Sequence, residues 1–326
     1  MQHRANVGST TAEACVQTYQ VRRAGAVAAA LALIPCSRLP AQERAPIDPW
    51  FPDHHFFTPL LADPREVHLG VALVSTNLFA PGNNGPERPP LRFKDAEDLD
   101  NDVQGAVALG GTVTLWQPAA WPDGGLTIGA QAGVFARFRI EEPSRDYAIS
   151  DWLVALPIEV ADGPLSARLR ILHRSSHLGD ELLLDARTYR IEFGHEAVDL
   201  LVAHRILGSG RIYGGGSFIF RSNTESEPLL RLRGLDIHDN FAIQAGADGS
   251  WYRWAGDRIG VMAGLDWQRA QRTGWRDQFS AAAGVAAHGA GGGLRLLFRF
   301  FTGVSPVGEF FLTDERYYAL ELAVWR

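Results

Sequence analysis

His173 and Ser175 stand two positions apart in a polar segment, residues 172–181. On a β-strand, side chains two positions apart project from the same face, roughly 6.5–7 Å apart at the backbone. An imidazole nitrogen at that spacing can take the proton of the serine hydroxyl and generate an alkoxide-like nucleophile for acyl transfer. The pair is therefore a candidate for acyl-ester hydrolysis if this segment is a strand.

Apolar and polar side chains alternate through much of the chain, which is the period of a β-strand. In residues 258–268, one face carries Ile259, Val261, Ala263, Leu265 and Trp267, and the other carries Arg258, Gly260, Met262, Gly264, Asp266 and Gln268. Twelve stretches have this pattern, and none reaches the roughly 18 consecutive apolar residues of a membrane helix. We therefore predict an all-β fold, a transmembrane antiparallel β-barrel of about 12 strands.

The predicted strands lie at about 65–79, 102–116, 125–140, 148–161, 165–177, 186–207, 211–222, 240–252, 258–270, 274–288, 293–304 and 315–325. Short Gly-rich turns and longer loops alternate between them. In outer-membrane barrels the short turns face the periplasm and the longer loops face the outside of the cell. The sixth stretch changes phase along its length, which predicts a bulge between His195 and Ala197.

The N-terminal 41 residues predict a cleaved signal peptide. Arg22 and Arg23 form a basic region, residues 24–34 are apolar, and a cleavage site follows Ala41. We therefore divide the chain into a signal peptide at 1–41, a periplasmic N-terminal segment at 42–64 and an outer-membrane β-barrel at 65–326. Cys15 and Cys36 both precede the cut, so the exported chain is expected to have no disulfide and no cysteine metal site.

The charge balance argues against a nucleic-acid partner. The chain carries a formal net charge of -6 with histidine neutral. A nucleic-acid surface needs an excess of Lys and Arg to neutralise phosphates. We expect membrane lipids and lipopolysaccharide as partners instead, at an outer-membrane location. No segment of the sequence specifies an oligomeric state.

Charged residues mark the inside of the predicted barrel. In residues 294–300 the even positions are apolar, while Arg295 and Arg299 point the other way. The packed interior of a soluble barrel would bury these guanidiniums unpaired, at several kcal/mol each. A polar lumen accepts them, with Glu192 and Asp266 as counter-charges. We therefore predict Glu192, Asp266, Arg295 and Arg299 as lumen-lining residues.

The same reasoning sets the orientation of the candidate site. If Arg168 and Arg170 face the lumen, Leu169 and Ile171 face lipid. His173, Ser175 and His177 then continue the lipid-facing row to the outer rim of the membrane. A hydrolase there would act directly on acyl chains.

This pair resembles two families of outer-membrane enzymes, the outer-membrane phospholipase A, a twelve-stranded barrel, and the lipid A deacylase. Both carry a His-x-Ser pair on the exterior of the barrel. The resemblance implies that His173 is the general base and Ser175 the nucleophile. In both families an acidic or amide side chain on the next strand, about a dozen positions beyond the serine, orients the histidine. Arg187 occupies that position here, so the acidic candidates are Asp185, Asp180 and Glu181.

A broader resemblance runs through the whole exported chain. The segments 59–66 (PLLADPRE) and 175–181 (SSHLGDE) are similar to a bacterial family of outer-membrane proteins known as a domain of unknown function. This resemblance implies the outer-membrane location and no particular activity.

Other interpretations stay open at this point. The polar cluster can be the solvated top of a strand in a non-catalytic barrel. The barrel can be a narrow passive solute channel lined by the lumen charges. A phase slip at Leu172 would turn His173 and His177 inward, where Asp180 and Glu181 could help to hold a metal ion. No cofactor or metal is predicted, although calcium is not excluded by the residue types.

Overall fold

The computed structural model describes residues 49–79, 102–141, 147–180, 182, 192–206, 208–223, 234, 236 and 240–325. These residues belong to one compact unit, residues 48–326. In this described part of the chain, no helix has the length and apolar character needed to cross a membrane.

Twelve strands form the fold: β1 Leu69–Thr76, β2 Asp102–Trp121, β3 Gly124–Arg139, β4 Tyr147–Asp162, β5 Leu165–Leu178, β6 Phe193–Ile206, β7 Gly210–Ser222, β8 Phe241–Trp254, β9 Ile259–Ala270, β10 Asp277–Gly289, β11 Gly292–Val304 and β12 Asp314–Trp325. Two short 3₁₀ turns, Gln271–Thr273 and Gly308–Phe310, follow β9 and β11. Most strand ends fall within a few residues of the predicted ones. The main differences are β1, which begins at Leu69, and β2, which continues to Trp121. β6 begins at Phe193, and residues 186–191 of the predicted sixth strand lie outside the described residues.

Each strand pairs antiparallel with its sequence neighbours, and β1 pairs with β12 to close the barrel. The closing register runs from Leu69 opposite Val324 to Thr76 opposite Tyr317. Closure leaves no unpaired sheet edge, which a strand in hydrocarbon could not tolerate. The predicted fold class, a closed antiparallel barrel of 12 strands, is confirmed. We call the end that holds Leu69 and Trp325 the inner end and the opposite one the outer end.

The alternation of the strands separates two environments. In β11, Leu294 and Phe298 are 52% and 54% exposed on the outer surface, whereas Leu297 and Phe301 are 0% and 1% exposed inside. Arg299 faces inward between them and is buried. β9 follows the same rule, with Ile259, Val261 and Leu265 outside. The predicted facing of both strands is confirmed.

The N-terminal segment differs from the expectation. We predicted a periplasmic piece at 42–64, but residues 56–68, which we call the plug segment, lie inside the barrel. Phe57, Leu60 and Ala62 are at most 2% exposed. Leu61 and Ala62 pack against inward side chains of β9, β10 and β11, whereas Phe57 and Leu60 pack against β6 and β7. The plug segment therefore fills the lumen that the strands enclose.

Inward polar side chains hold the backbone of the plug segment. Glu159 on β4 accepts hydrogen bonds from the backbone N–H groups of Phe56 and Phe57 at 2.9 and 3.1 Å. Asp248 on β8 accepts from the Leu61 N–H at 3.0 Å, and Arg299 donates to the Leu61 carbonyl at 2.9 Å. A non-helical segment needs such partners when it is buried. Some of the lumen charges therefore satisfy this backbone.

A buried ion pair fixes the end of the plug segment. Glu66 forms a bidentate pair with Arg168, with N–O distances of 2.7 and 2.8 Å. Burial by itself raises the pKa of the Glu66 carboxyl, but the guanidiniums of Arg168 and Arg170 outweigh it and hold the pKa at about 2. Glu66 is therefore charged at neutral pH because its carboxylate lies next to these two arginines.

The outer end of the lumen is covered by the loop between β11 and β12. Residues 305–313, which we call the mouth loop, are all buried. The Gly308 N–H donates to the Asp151 carboxylate at 2.9 Å, and the Leu178 N–H donates to Glu309 at 3.2 Å. Phe310 packs with Phe79 and other apolar residues of the outer rim. The plug segment and the mouth loop therefore occupy the lumen from both ends.

We predict that acid weakens the barrel through Glu66. Its folded pKa of about 2 lies below the ordinary value of 4.5, so the stabilisation is complete above pH 4.5 and is lost as the pH falls toward 2. The difference corresponds to about 3 kcal/mol of unfolding free energy. Tryptophan fluorescence of the protein unfolded by urea in detergent micelles at several pH values measures it.

The Glu66→Gln variant provides the control for this prediction. It should be destabilised at pH 7, because Arg168 loses its buried partner, and it should lose less stability than the parent on acidification. An equal acid loss in parent and variant would contradict the assignment to Glu66.

Candidate functional site

The candidate pair lies on β5, at its outer half. The burial pattern of β5 alternates, with Arg168, Arg170 and Leu172 inside and Ile171 and His173 outside. Ser175 and His177 follow on the outer face. His173 and Ser175 therefore share the apolar exterior, close to the outer end of the strand.

A carboxylate from the neighbouring strand contacts the histidine. Glu196 on β6 lies directly opposite His173 in the register. The Nδ1 atom of His173 is 3.2 Å from Oε1 of Glu196, and the two side chains are 48% and 28% exposed. With Nδ1–H donating to the carboxylate, Nε2 is the nitrogen left to accept a proton. This pairing gives His173 the orientation and tautomer of a general base.

The strand pairing around Glu196 is irregular. Between β6 and β7 the register shifts from Glu196 opposite Arg221 to Ala197 opposite Ile219. The extra residue is therefore Phe220 on β7. The sequence predicts the irregularity at this place, but it assigns the bulge to the sixth strand. In the structure Phe193, His195 and Ala197 keep one inward phase along β6, and the bulge lies in the partner strand.

Ser175 is flanked by a large and a small residue. Trp152 on β4 lies opposite Ser175 on one side, and Gly194 on β6 lies opposite it on the other. The Trp152 side chain is 49% exposed and its indole N–H donates to the Ser150 hydroxyl at 2.9 Å. A tryptophan that combines an apolar ring with a bonded polar edge is typical of the membrane interface.

The structure describes one of the three acidic residues proposed from the sequence. Asp185 and Glu181 lie outside the described residues. Asp180 is exposed beyond the end of β5. Glu196 is 23 positions from His173, so a count of residues along the chain misses it. The sequence does contain one signal for Glu196. Val198, Leu200 and Val202 face outward at every second position of β6, and Glu196 lies two positions before Val198, so it faces outward as well.

The metal interpretation requires the histidines to face the lumen. His173 and His177 lie on the outer face instead, so the phase slip at Leu172 does not occur. Among the described residues, no three His, Cys, Asp or Glu side chains come together in a way that could hold a metal ion.

Three of the four predicted lumen residues belong to buried polar networks, and the fourth, Glu192, does not. Arg299 pairs with Glu321 at 2.7 Å, and Arg295 is 3.9 Å from the same carboxylate. Asp266 is buried and accepts hydrogen bonds from three side chains, which are Tyr213, Gln244 and Gln268. Glu192 lies one residue before β6 and is exposed, so the structure does not bring it into these networks.

The arrangement of the lumen bears on the channel interpretation. The plug segment and the mouth loop occupy the axis of the barrel, and two spaces left beside them measure about 100 and about 150 Å³. The lining of each includes an ion pair, Arg299 with Glu321 in the smaller space and Arg170 with Asp199 in the larger one.

The fold and surface define the class of this protein: a closed 12-stranded antiparallel barrel of the outer-membrane type, apolar outside and filled inside. The chain belongs to the family described as protein of unknown function DUF1207, whose sequence profile matches residues 32–324. No curated protein matches the sequence significantly.

Several solved outer-membrane proteins have a similar fold. The outer membrane phospholipase A from Escherichia coli has a TM-score of 0.49 at 11% identity, with 83% of this chain and 94% of that chain covered. An outer membrane channel from Pseudomonas putida F1 has a TM-score of 0.42 at 8% identity, with 87% and 100% covered. The β domain of the Bordetella autotransporter BrkA has a TM-score of 0.38 at 13% identity, with 79% and 98% covered. These likenesses concern the fold alone.

We predict that Glu196 fixes the tautomer of His173. In the neutral ring the proton should sit on Nδ1, because that nitrogen faces the carboxylate. Nitrogen-15 chemical shifts of histidine-labelled protein in micelles at about pH 8 report which nitrogen is protonated. Glu196→Ala should move the proton of His173 toward Nε2.

His204 is exposed and faces outward near the inner end of β6, and it provides an internal control. Its tautomer should be the same in the parent and in Glu196→Ala. A His173 signal that is the same with and without the Glu196 carboxylate would contradict this prediction.

We also predict that the filled lumen does not conduct. The protein reconstituted in a planar bilayer should give no steady single-channel current, because the plug segment is tied to inward side chains of many strands. Regular open steps in the unmodified protein would contradict the filled lumen and favour the channel interpretation.

Proposed function

We propose that this protein is an outer-membrane lipid acyl hydrolase, with His173, Ser175 and Glu196 as its catalytic residues. The observation that supports this function best is the 3.2 Å contact between His173 and Glu196 on the same outer face that carries Ser175. A base with its own orienting carboxylate beside a serine is the arrangement that activates serine for acyl transfer.

The proposed location rests on the outer surface. Many outward side chains of the barrel wall are apolar and about half exposed, among them Val71, Leu109, Val154, Ile171, Val261, Leu296 and Leu320. Soluble proteins rarely expose apolar patches of more than a few hundred Å². A continuous belt of this kind needs hydrocarbon as its solvent, and closed barrels are the β-structures that can supply it.

The first proposed step is acylation of the enzyme. His173 Nε2 takes the proton of the Ser175 hydroxyl as its oxygen attacks the ester carbonyl of a lipid. The tetrahedral intermediate collapses, the bond to the alcohol breaks, and His173 returns its proton to that leaving oxygen. The acyl chain stays on Ser175 as an ester.

The second proposed step releases the fatty acid. A water molecule gives its proton to His173 and attacks the acyl ester, and collapse of the intermediate returns the proton to Ser175. In both steps Glu196 accepts the Nδ1–H hydrogen bond and stabilises the imidazolium that forms. Arg221, whose Nε is 3.8 Å from the second Glu196 oxygen, helps to hold this carboxylate in place.

The position of the site indicates the class of substrate. Lipid ester groups lie at the boundary between the hydrocarbon and the headgroups, which is where amphipathic rings such as Trp152 collect. Phospholipids and the acylated lipid part of lipopolysaccharide both place esters at this depth. We therefore propose ester-linked acyl chains of membrane lipids as substrate, and the assay below separates the two lipid classes.

We propose no cofactor for this reaction. Among the described residues near Ser175, the carboxylate in contact with the site is Glu196, and it is used by His173. This donor set does not fit a calcium ion, which takes six to eight oxygen ligands. The assay is therefore run with added calcium and with chelator, and we expect the same rate in both.

We predict that the refolded protein releases fatty acid from lipid micelles and that Ser175→Ala abolishes this release. Glu196→Gln should lower kcat by about 10²- to 10⁴-fold, because the amide no longer stabilises the imidazolium. Fatty-acid release is measured from diacyl phospholipid and, separately, from purified lipid A. The lipid that is hydrolysed identifies the substrate class.

His204→Ala provides the matched control, since His204 is an outward-facing histidine at the other end of β6. Its activity should equal that of the parent. Hydrolysis by Ser175→Ala at the parental rate, or no release from either lipid by the parent, would refute the proposed function.

A further inference from the structure

A second feature lies inside the barrel, on the opposite side of β5 from Ser175. A cavity of about 150 Å³ sits beneath the mouth loop, between the inward faces of β5, β6, β7 and β8 and the turn after β9. Its charged and polar lining includes Asp63, Arg65, Arg170, Arg174, His195, Asp199, Gln244, Gln268, Arg269 and Arg272. The volume corresponds to about five water molecules in the liquid, which is also enough for a small polyatomic ion.

The positive charges around this cavity exceed the negative ones. Arg170 is paired with Asp199 at 2.6 Å, and Arg269 lies 3.3 Å from Asp277. Arg174 and Arg272 have no carboxylate within ion-pair distance among the described residues. These two arginines come from different elements, β5 and the turn Gln271–Thr273, and both reach the same space.

Asp63 is the other carboxylate in the lining. It already accepts hydrogen bonds from the backbone N–H of Arg65 and from the amides of Gln244 and Gln268. Arg65 in turn donates to Gln268 at 2.7 Å. This network occupies the acceptors of Asp63, so neither Arg174 nor Arg272 forms a direct ion pair with it.

Several polar atoms that line the cavity lack partners. Arg272 is 6% exposed, and its Nε and Nη1 atoms have no hydrogen-bond partner among the described residues. Its remaining Nη2 donates to Ser222 at 3.2 Å. His195 is 7% exposed, and its Nδ1 is also without a partner in that part of the chain. Buried guanidinium and imidazole groups without partners are costly.

The charge state of the buried Arg272 guanidinium also indicates a site for an anion. Burial lowers the pKa of its guanidinium to about 10, so Arg272 stays charged at neutral pH. Buried charged donors that lack hydrogen-bond partners indicate a place where an anion can bind. The guanidinium forks of two arginines suit an ion with several acceptor oxygens better than a spherical halide.

We propose that this cavity binds a phosphate-class oxyanion, held by Arg174 and Arg272 with His195 at its side. The ion would compensate both guanidiniums and accept the free N–H groups of Arg272. Because these groups come from β5 and from the turn after β9, the bound ion would also join two parts of the wall beneath the mouth loop. Inorganic phosphate and the phosphate of a lipid headgroup share this chemistry.

The test measures binding of inorganic phosphate to the full protein in detergent micelles by calorimetry and by the shift of the melting temperature. The parent should bind phosphate and melt at a higher temperature in its presence. Arg174→Gln and Arg272→Gln, tested separately, should each weaken binding about tenfold or more, since each removes a charged donor. Arg272→Gln should also melt no lower than the parent in phosphate-free buffer.

The exposed Arg258 at the inner end provides the control. Arg258→Gln removes the same charge and should bind phosphate like the parent. Micelles that contain lipopolysaccharide, intact or dephosphorylated, distinguish the source of the phosphate. Blocking by the intact form alone assigns the site to a lipid headgroup, and undiminished binding in both assigns it to the free ion.

No binding of phosphate by the parent would overturn the proposal. So would equal binding by the parent, Arg174→Gln and Arg272→Gln, with all three folded by circular dichroism. The hydrolase assay does not enter this test, because Ser175 lies on the other face of β5.

Discussion

The structure depends on a constraint that acts on every strand: one face must suit hydrocarbon and the other must suit a polar interior. Side chains alternate with period two, so a single shift of phase would carry arginines into lipid. β11 illustrates the constraint, because Leu296 and Phe298 face outward while Arg299, the residue after Phe298, faces in. The closed pairing of β1 with β12 satisfies the remaining backbone groups.

The same constraint explains why the interior is filled with ion pairs. Inward positions cannot be apolar throughout, because the plug segment brings its own unpaired backbone groups into the lumen. Glu159, Asp248 and Arg299 bind that backbone, and Arg168 binds the Glu66 carboxylate. The inner wall and the plug segment are therefore complementary, and the residues that resemble a pore lining in the sequence act as its attachment points.

Period two also determines where chemistry is possible on the outside. His173 and Ser175 share a face because they are two apart, and Glu196 reaches His173 because it lies opposite in the register. Their exposure to the membrane side is an exception to the apolar belt. The proposed catalysis at the lipid ester boundary would account for polar side chains at this place.

Much of this could be predicted from the sequence, because alternation and turn residues are local signals. The facing of β5, β9 and β11 and the outward position of His173 follow from residues a few positions apart. The plug segment could not be predicted in this way, since residues 56–68 are rich in proline and aromatic residues and their partners lie on distant strands. The inward position of Tyr213 could not be predicted in this way either, because its hydrogen-bond partner Asp266 is 53 positions away.

The contact of Glu196 in the candidate site could not be predicted from local patterns either. Its contact with His173 depends on the register between β5 and β6, which the length of the intervening loop does not determine. The irregularity at Glu196 was visible as a change of phase, but the sequence alone does not show that the extra residue, Phe220, belongs to β7. Local patterns therefore predict which face a residue takes, and pairing across strands determines which neighbours it meets.

The most direct test of the account is the accessibility of single spin labels along residues 169–177 in lipid vesicles. Cysteines introduced one at a time report contact with oxygen, which concentrates in hydrocarbon, and with a water-soluble relaxation agent. The account predicts high oxygen contact at the odd positions, with depth decreasing from Leu169 to Ser175, and low contact at the even positions. Equal oxygen contact at odd and even positions, or the opposite alternation, would contradict it.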